Sequence, residues 1–260
     1  MKRYRFTHFS VDATRNIFRN FPAYREEIKQ GISSKHGSAD LDSKLERYLE
    51  FKPPNVTVVV DYFNLLSEIA DSYVCGHYYP ALTGACSLGE RIFNMLILNL
   101  RDFYKDSPCY KNIYRSNSFQ NWGFSINMLL EWKIIDSDLA KDYKKLGEIR
   151  NDSIHLKDLS NIHDKAINAL RYIMNITDQL FGLRQNIFFF VLGEPYIRKN
   201  KEVEPIVKTF FIPNCTLVGY KHRIEEKSGQ FVIEDANQYE EQEVTDEEFG
   251  RLRQQWRTIH

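Results

Sequence analysis

The chain of 260 residues lacks the patterns that build disulfide frameworks, zinc sites and membrane spans. Cys75, Cys86, Cys109 and Cys215 stand far apart and form no C-x-x-C pair, which fits reduced thiols in a cytosolic protein. The seven histidines form no H-x₃-H or H-E-x-x-H pattern. No stretch approaches the ~20 apolar residues of a membrane span, and the amino terminus leads into no apolar run of signal-peptide length. These absences predict a soluble, cytoplasmic protein without a membrane segment, a metal or a cofactor.

The chain also lacks net charge. Its 35 basic and 35 acidic residues cancel, so no global positive field attracts nucleic acid, and such contacts require a local patch or paired subunits. Apolar residues make up 43% of the chain and charged residues 27%, a globular balance that argues against wholesale disorder. The length allows one large domain, or one domain with an appendage.

Residues 1–52 are interpreted as a basic arm or cover. They carry eleven Lys and Arg against seven Asp and Glu. Leu41, Leu45 and Leu49 recur at helical spacing, which predicts a short helix before Pro53 and Pro54.

Residues 53–184 are predicted to form a bundle of four or five antiparallel helices. Apolar residues recur at helical spacing over 59–73, 88–104, 118–131, 139–149 and 162–180. The β-branched run at 56–60 would also suit a strand, but the stripe continues past it to Tyr73 and favours a helix capped by Asn55. Gly76 is expected to end that helix, and Pro80 suits the first turn of the next.

Residues 185–260 are predicted to form a β-rich extension. Segments rich in Phe, Val, Ile and Tyr at 186–192, 207–212, 215–224 and 230–235 predict an antiparallel sheet of three or four strands. An acidic segment follows, and Thr245 and Glu248 have the spacing of a capping box for a final helix. The predicted fold class is therefore α+β, an antiparallel helical bundle followed by a small β-rich extension.

The segment 144–155 is predicted to be the end of one helix and the start of another, and it holds the candidate site. Arg150, Asn151 and His155 combine a permanent cation, an amide and a side chain that titrates near neutral pH, a set suited to a phosphodiester. Taken in isolation, the same residues are better explained as ordinary capping by Asn151 and its neighbours, with Arg150 at a helix carboxyl end and His155 exposed. In a straight helix Arg150 and His155 would lie ~140° apart, whereas Asn151 and His155 would share a face.

The motif R-N-D-S-I-H at 150–155 resembles the signature of the HEPN superfamily, whose all-helical domains carry an Arg, a polar residue, a short spacer and a His. The stretch A-C-S-L-G-E-R-I-F-N-M-L-I at 85–97 resembles the early helix of that family with its acidic residue. The stretch 132–150 is similar to the linker and helix that deliver the arginine. The resemblance covers roughly residues 60–182.

The resemblance implies a metal-independent endoribonuclease, often the toxic or antiviral arm of a prokaryotic defence or toxin–antitoxin system. It implies a homodimer in which both Arg/His sets line one cleft, an RNA substrate, and an antitoxin or defence-system partner protein. Arg150 would bind and stabilise the scissile phosphate, and His155 would transfer protons. Asn151 would orient either His155 or the phosphate. The expected products are a 2′,3′-cyclic phosphate and a 5′-hydroxyl.

Three further residues are candidates beside this set. Glu90 is a candidate partner for Arg150, and Lys144 and Lys145 are candidate contacts for the RNA backbone, although solvated helix charges would look the same. A metal shared by His155 and His163 is disfavoured because no third ligand is evident. The alternative function is a non-catalytic HEPN-like module that dimerises or docks a partner protein or nucleic acid. A DNA-binding regulator would need a basic recognition helix, which the sequence does not show.

Overall fold

A computed structural model describes residues 4–6, 25–51, 57–116, 121–154, 161–182, 186–191, 194–197, 201, 203–217, 223–227, 230–234, 245, 247–248, 250–251 and 254. The chain divides into two compact units, one of residues 13–182 and one of residues 1–12 together with 183–260. Among the described residues, no helix combines the length and the apolar character needed to cross a membrane.

The unit of residues 13–182 is a helical bundle, as the apolar periodicity predicts. Its helices are α1 (Arg25–His36), α2 (Leu41–Leu49), α3 (Val60–Val74), α4 (Tyr78–Leu100), α5 (Tyr110–Ile113), α6 (Trp122–Glu131), α7 (Ser137–Ile154) and α8 (Ile162–Phe181). Helix α4 is central because it packs against α3, α6, α7 and α8. Its apolar face, which includes Leu82, Ile92 and Leu96, is fully buried, and burial of such side chains drives the packing.

Local signals place several helix ends where the sequence predicts them. Gly76 follows α3 in the left-handed conformation (φ +81°), and its amide donates to the Tyr73 carbonyl at 2.9 Å. Pro80 lies in the first turn of α4. The Asp136 carboxylate accepts the Leu139 amide at 2.8 Å at the start of α7. The prediction of a helix capped by Asn55 is wrong, because α3 begins at Val60 with the extended residue Val59 at its N-cap, and Thr57 forms an isolated β-bridge with Gly182.

The predicted helix break within 144–155 is wrong, because α7 continues through this segment to Ile154. The face of α7 that carries Tyr143, Leu146 and Ser153 is buried, so packing against the bundle maintains the helix across its polar stretch. Asn and Asp inside a helix cost less than about 1 kcal/mol each relative to Ala, and this burial offsets that penalty. Residues that could cap a helix therefore lie inside one.

Two glycines allow α4, α6 and α7 to approach closely. A Cβ atom at Gly89 would lie 2.7 Å from Cδ2 of Leu146, and one at Gly147 would lie 2.7 Å from Nε1 of Trp122. The same indole nitrogen donates to the Tyr143 carbonyl at 2.9 Å, which fixes α6 against α7. Because Glu90 follows Gly89 and Arg150 lies one turn beyond Leu146, this approach places the two charged side chains together.

Helices α1 and α2, from the predicted basic arm, belong to the same unit as the bundle. Lys35 forms an ion pair with Asp71 of α3 at 2.7 Å, and His36 lies 3.3 Å from the same carboxylate. Arg47 Nε donates to the Val74 carbonyl at 2.7 Å. Basic side chains of this arm are thus engaged in packing onto the end of α3.

The α+β fold class is wrong, because the described part of the chain is mostly helical and the predicted sheet of three or four strands does not form within it. In the described parts of residues 1–12 and 183–260, short antiparallel strands pair only two by two. These pairs are β1 (Tyr4–Phe6) with β4 (Cys215–Leu217), β2 (Phe188–Val191) with β3 (Glu194–Ile197), and β5 (Arg223–Lys227) with β6 (Gln230–Glu234).

The predicted strand at 207–212 is helical instead. Val207–Phe211 forms a π-helical turn, and Ile212–Asn214 continues as a 3₁₀ turn. Val207, Phe210 and Phe211 are buried, and their spacing of three and four is that of one helical face. The β-branched and aromatic composition therefore misled the strand prediction, because burial of that face decides the local structure. The predicted capping box is confirmed, since Thr245 Oγ1 accepts the Glu248 amide at 3.3 Å and the Glu248 carboxylate accepts the Thr245 amide at 3.1 Å.

Candidate functional site

Helices α4 and α7 bring Glu90 and Arg150 together at the surface of the bundle. Arg150 Nη2 lies 3.6 Å from Glu90 Oε2, and the two side chains are 31% and 33% exposed. Arg150 Nη1 donates to Oδ1 of the neighbouring Asn151 at 3.3 Å. The structure thus joins three of the residues singled out in the sequence, and it leaves the guanidinium within reach of solvent.

The inner side of the arginine is buried. Arg150 Nε and Ser153 Oγ are buried and have no hydrogen-bond partner in the described part of the chain. Unpaired buried donors cost roughly 1–3 kcal/mol each. Arg150 and Ser153 are three positions apart on α7 and therefore lie on the same side of the helix. The site thus has an exposed guanidinium edge and, beneath it, two buried polar atoms without hydrogen-bond partners among the described residues.

Cys86 lies close to the same pair, which the sequence analysis missed. Its thiol is fully buried and lies 4.0 Å from the Leu146 carbonyl oxygen. Burial raises the pKa of Cys86 to about 12, with the Arg150 cation opposing this rise and the Glu90 carboxylate adding to it. Cys86 therefore remains a neutral thiol at physiological pH and is no nucleophile. The available signal was the spacing of four between Cys86 and Glu90, which places both on one face of α4.

The lysine candidates lie elsewhere on α7. Lys144 and Lys145 are exposed, and they stand about 120° and 140° round the helix axis from Arg150. Lys145 Nζ lies 5.5 Å from the ring centroid of Tyr172 on α8. The fold does not place either lysine on the face that carries Arg150.

His155, the predicted proton-transfer residue, lies outside the described residues. His163, considered as its partner in a metal site, contacts Tyr73 and Asp164. Within the described ranges, no group of three or more His, Cys, Asp and Glu side chains is arranged to hold a metal ion.

An open cleft of about 650 Å³ runs between α3 and α4 on one side of Glu90. Its polar lining includes Glu68, Ser72, Ser87 and Arg91 besides Glu90. The cleft gives solvent a path to the carboxylate side of the ion pair. Its carboxylates outnumber its single arginine, so its walls are poorly suited to a phosphate backbone.

A second polar cluster joins α3 and α8 to the residue that follows α2. The Tyr73 hydroxyl donates to Glu50 Oε2 and lies 2.9 Å from His163 Nε2. His163 Nδ1 lies 3.1 Å from Oδ1 of Asp164, and the Tyr78 ring packs edge-on against the imidazole with centroids 4.9 Å apart. Burial and the adjacent Glu50 carboxylate raise the pKa of Tyr73 far above its ordinary value, so the hydroxyl keeps its proton. Sequence analysis missed this cluster because Tyr73 and His163 are 90 positions apart.

The chain matches no model of a known protein family, and comparisons with curated proteins and with solved structures find no match. The HEPN resemblance therefore stays a prediction from the motif residues and their spacing. Any assignment of function depends on the chemistry of the Arg150 site.

Proposed function

We propose that this protein is a metal-independent endoribonuclease of HEPN type that acts through Arg150 and His155. The observation that carries the proposal is the placement of Arg150, whose guanidinium is partly exposed on the bundle beside Glu90 and Asn151. Arg150 is the first residue of the R-x₄-H motif, which assigns it to the phosphate. Because its guanidinium is partly exposed, a substrate in solution can reach it.

The chemistry requires a cation at the phosphate and a group that moves protons. The Nη atoms of Arg150 form a planar fork that matches two phosphate oxygens and stabilises the charge that develops on them. His155 accepts the proton of the ribose 2′-hydroxyl as its oxygen attacks phosphorus. The P–O5′ bond breaks, the leaving 5′-oxygen takes up a proton from water, and a 2′,3′-cyclic phosphate remains. DNA lacks the 2′-hydroxyl and is expected to resist cleavage.

Glu90 and Asn151 act on the guanidinium in this scheme. Glu90 forms an ion pair on the Nη2 side and Asn151 accepts a hydrogen bond on the Nη1 side, so both side chains orient the fork before substrate binds. A partly exposed ion pair is weak, so a phosphate can replace the carboxylate at little cost. These two residues are positioning groups.

A homodimer would serve this function in a chain without net charge. A two-fold axis doubles each local basic feature, and a nucleic-acid site built across it has twice the cations of one protomer. The cytoplasmic setting and a role in antiviral defence or a toxin–antitoxin pair, with a protein partner that restrains the enzyme, belong to the same proposal.

A non-catalytic binding or dimerisation module is the second candidate function. The observation that favours it is that Arg150 already has an anionic partner within the chain, Glu90. In a scaffold this pair would be structural, and its arginine would contact no substrate.

Cleavage of a mixed RNA pool in the presence of EDTA tests the two functions against each other. Wild type is compared with Arg150→Ala, His155→Ala and the matched control Lys141→Ala, which removes an exposed cation of α7 paired with Asp138. We expect cyclic-phosphate ends from wild type and from the control, and at least about a 100-fold lower rate from the other two variants. Equal background from all four folded, dimeric proteins would reject the nuclease and favour the binding module.

A further inference from the structure

Helices α1 and α2, together with Glu50, form a segment that is here called the α1–α2 hairpin (residues 25–50). The two helices pack against each other, and α2 packs against α3. In the described part of the hairpin, the buried apolar side chains are Ile32 and Leu45. A segment with so few buried apolar side chains opens at a lower free energy than the core of a domain. The hairpin therefore depends on polar contacts to stay docked on α3.

These polar contacts lie at the carboxyl-terminal end of α3. Lys35 Nζ of the hairpin lies 2.7 Å from Asp71 Oδ2, and Arg47 Nε donates to the Val74 carbonyl at 2.7 Å. The Asp71 carboxylate is the anionic group of α3 at this contact, and its second oxygen faces His36. A change in the charge of His36 therefore acts directly on the docking of the hairpin.

His36 is enclosed in this docked contact. Its side chain is 12% exposed, and its Nε2 atom lies 3.3 Å from Asp71 Oδ1. Lys44, which is 8% exposed, donates from Nζ to the His36 carbonyl at 2.7 Å and to the Gly37 carbonyl at 3.2 Å. The ammonium groups of Lys35 and Lys44 therefore already share the surroundings of His36 with the Asp71 carboxylate.

A proton on His36 would add a third cation to this contact. A charged imidazole loses hydration when it is buried, and the Asp71 carboxylate already balances Lys35. The carboxyl end of a helix favours a cation, but Lys44 already supplies one to the last carbonyls of α1. Burial lowers the pKa of His36, the Asp71 carboxylate opposes this effect, and Lys35 and Lys44 add to it. The docked hairpin therefore favours the neutral imidazole.

We propose that acidification releases the α1–α2 hairpin from α3, and that protonation of His36 drives the release. In the released hairpin water hydrates the imidazole, so His36 takes up a proton more readily there than in the docked state. The contribution of neutral His36 to docking is therefore complete above about pH 6.5, the ordinary value for histidine, and is lost as the pH falls below it. Release breaks the hydrogen bond from Arg47 to Val74 and uncovers the end of α3. This pH-sensitive device is independent of the proposed nuclease.

Hydrogen exchange measured by mass spectrometry at about pH 7.5 and about pH 5.5 tests this proposal, because carboxylates stay ionised over this range. The rates are corrected for the intrinsic effect of pH on amide exchange. In wild type we expect α1 and α2 to exchange at least about threefold faster at the lower pH, and α8 to be unchanged. His36→Gln keeps a polar side chain that takes up no proton, so the difference should disappear. The matched control His77→Gln, which removes an exposed histidine at the start of α4, should retain it.

Several outcomes would overturn the proposal. Equal exchange of α1 and α2 at the two pH values in wild type is one, and acceleration of α8 as large as that of the hairpin is another, because it would mean global unfolding. His163 of α8 also contacts the hairpin, since its Nε2 atom lies 3.4 Å from Glu50 Oε2. An acid response that persists in His36→Gln would therefore assign the release to another group, such as His163.

Lys35→Gln decides the case in which His36→Gln opens the hairpin at both pH values. This substitution removes an exposed ammonium group that disfavours the proton on His36 and leaves the Asp71 carboxylate to balance it. The acid response of α1 and α2 should then be smaller than in wild type. A response equal to or larger than that of wild type would overturn the proposal.

Discussion

Arg150 Nη2 lies 3.6 Å from Glu90 Oε2, and this pair connects α7 to the middle of α4. Both side chains are about one-third exposed, so solvent and salt screen their attraction, and such pairs contribute only about 0–1 kcal/mol to stability. The pair is better suited to orienting the guanidinium than to holding the bundle together. Function and stability should therefore respond differently when it is changed.

Arg150→Lys tests that separation. The substitution keeps the charge but removes the planar fork, so we expect RNA cleavage to fall at least about 100-fold while the free energy of unfolding changes by less than about 1 kcal/mol. Single-turnover cleavage rates and urea unfolding measure the two quantities. A lysine variant that cleaves as fast as wild type would show that the fork geometry has no role.

Gly89→Ala should destabilise the bundle. The added Cβ would lie 2.7 Å from Cδ2 of Leu146, so this fully buried side chain would have to shift against its neighbours, and overpacking of this kind costs about 1–3 kcal/mol. Gly31→Ala in α1 is the matched control, because no atom lies within 4 Å of its added Cβ and alanine stabilises a helix interior by roughly 0.5–1 kcal/mol. In urea unfolding, the free energy of unfolding should fall in Gly89→Ala and rise in Gly31→Ala. Equal changes in the two variants would contradict the close approach of α4 and α7.

Tyr73→Phe should weaken the link between α3, α8 and Glu50. The hydroxyl donates to Glu50 and lies 2.9 Å from His163 Nε2, so its removal leaves both partners without this contact and costs about 1–2 kcal/mol. A double-mutant cycle with His163→Gln should give a coupling energy of about 0.5–3 kcal/mol in unfolding experiments. Strictly additive effects would mean that the tyrosine and the histidine do not interact.

The free energy of unfolding should fall at alkaline pH because Tyr62 is a buried tyrosine that loses its proton there. Burial raises the pKa of Tyr62 to about 12, against about 10 for tyrosine in an unfolded chain. Between these two pH values the unfolded chain has lost the proton that the folded protein retains. The contribution of Tyr62 to the free energy of unfolding is therefore complete below about pH 10. It is lost as the pH rises toward about 12, by up to roughly 3 kcal/mol. Tyr62→Phe keeps the ring packed 5.3 Å from Phe181 and removes the titration.

Urea unfolding at about pH 9 and about pH 11 measures this difference. The loss of stability between the two values should be smaller in Tyr62→Phe than in wild type, because the other buried tyrosines titrate in both proteins. An equal loss of stability in the two proteins would show that a group other than Tyr62 is responsible for it.

Periodic apolar residues made the bundle predictable, because a helix that buries one face records this in its own sequence. The stripe of α8 runs from Ile162 to Leu180 and marks the helix almost end to end. Composition was a weaker guide at 207–212, where aromatic and β-branched residues predicted a strand and burial at helical spacing produced a turn of helix. The polar residues of 150–153 likewise predicted a break that packing of α7 overrides.

The sequence by itself determined the helices of the bundle and the motif that begins at Arg150, because both depend on residues that are close together in the chain. The sequence named Glu90 as a candidate partner for Arg150, but only the tertiary structure decided that the two side chains meet, because Gly89 and Gly147 set the approach of α7 to α4 and α6. The cluster around Tyr73 and His163 is likewise a product of the fold. Local periodicity reports which face of a helix is buried, but pairs of side chains from distant segments depend on how those faces pack together.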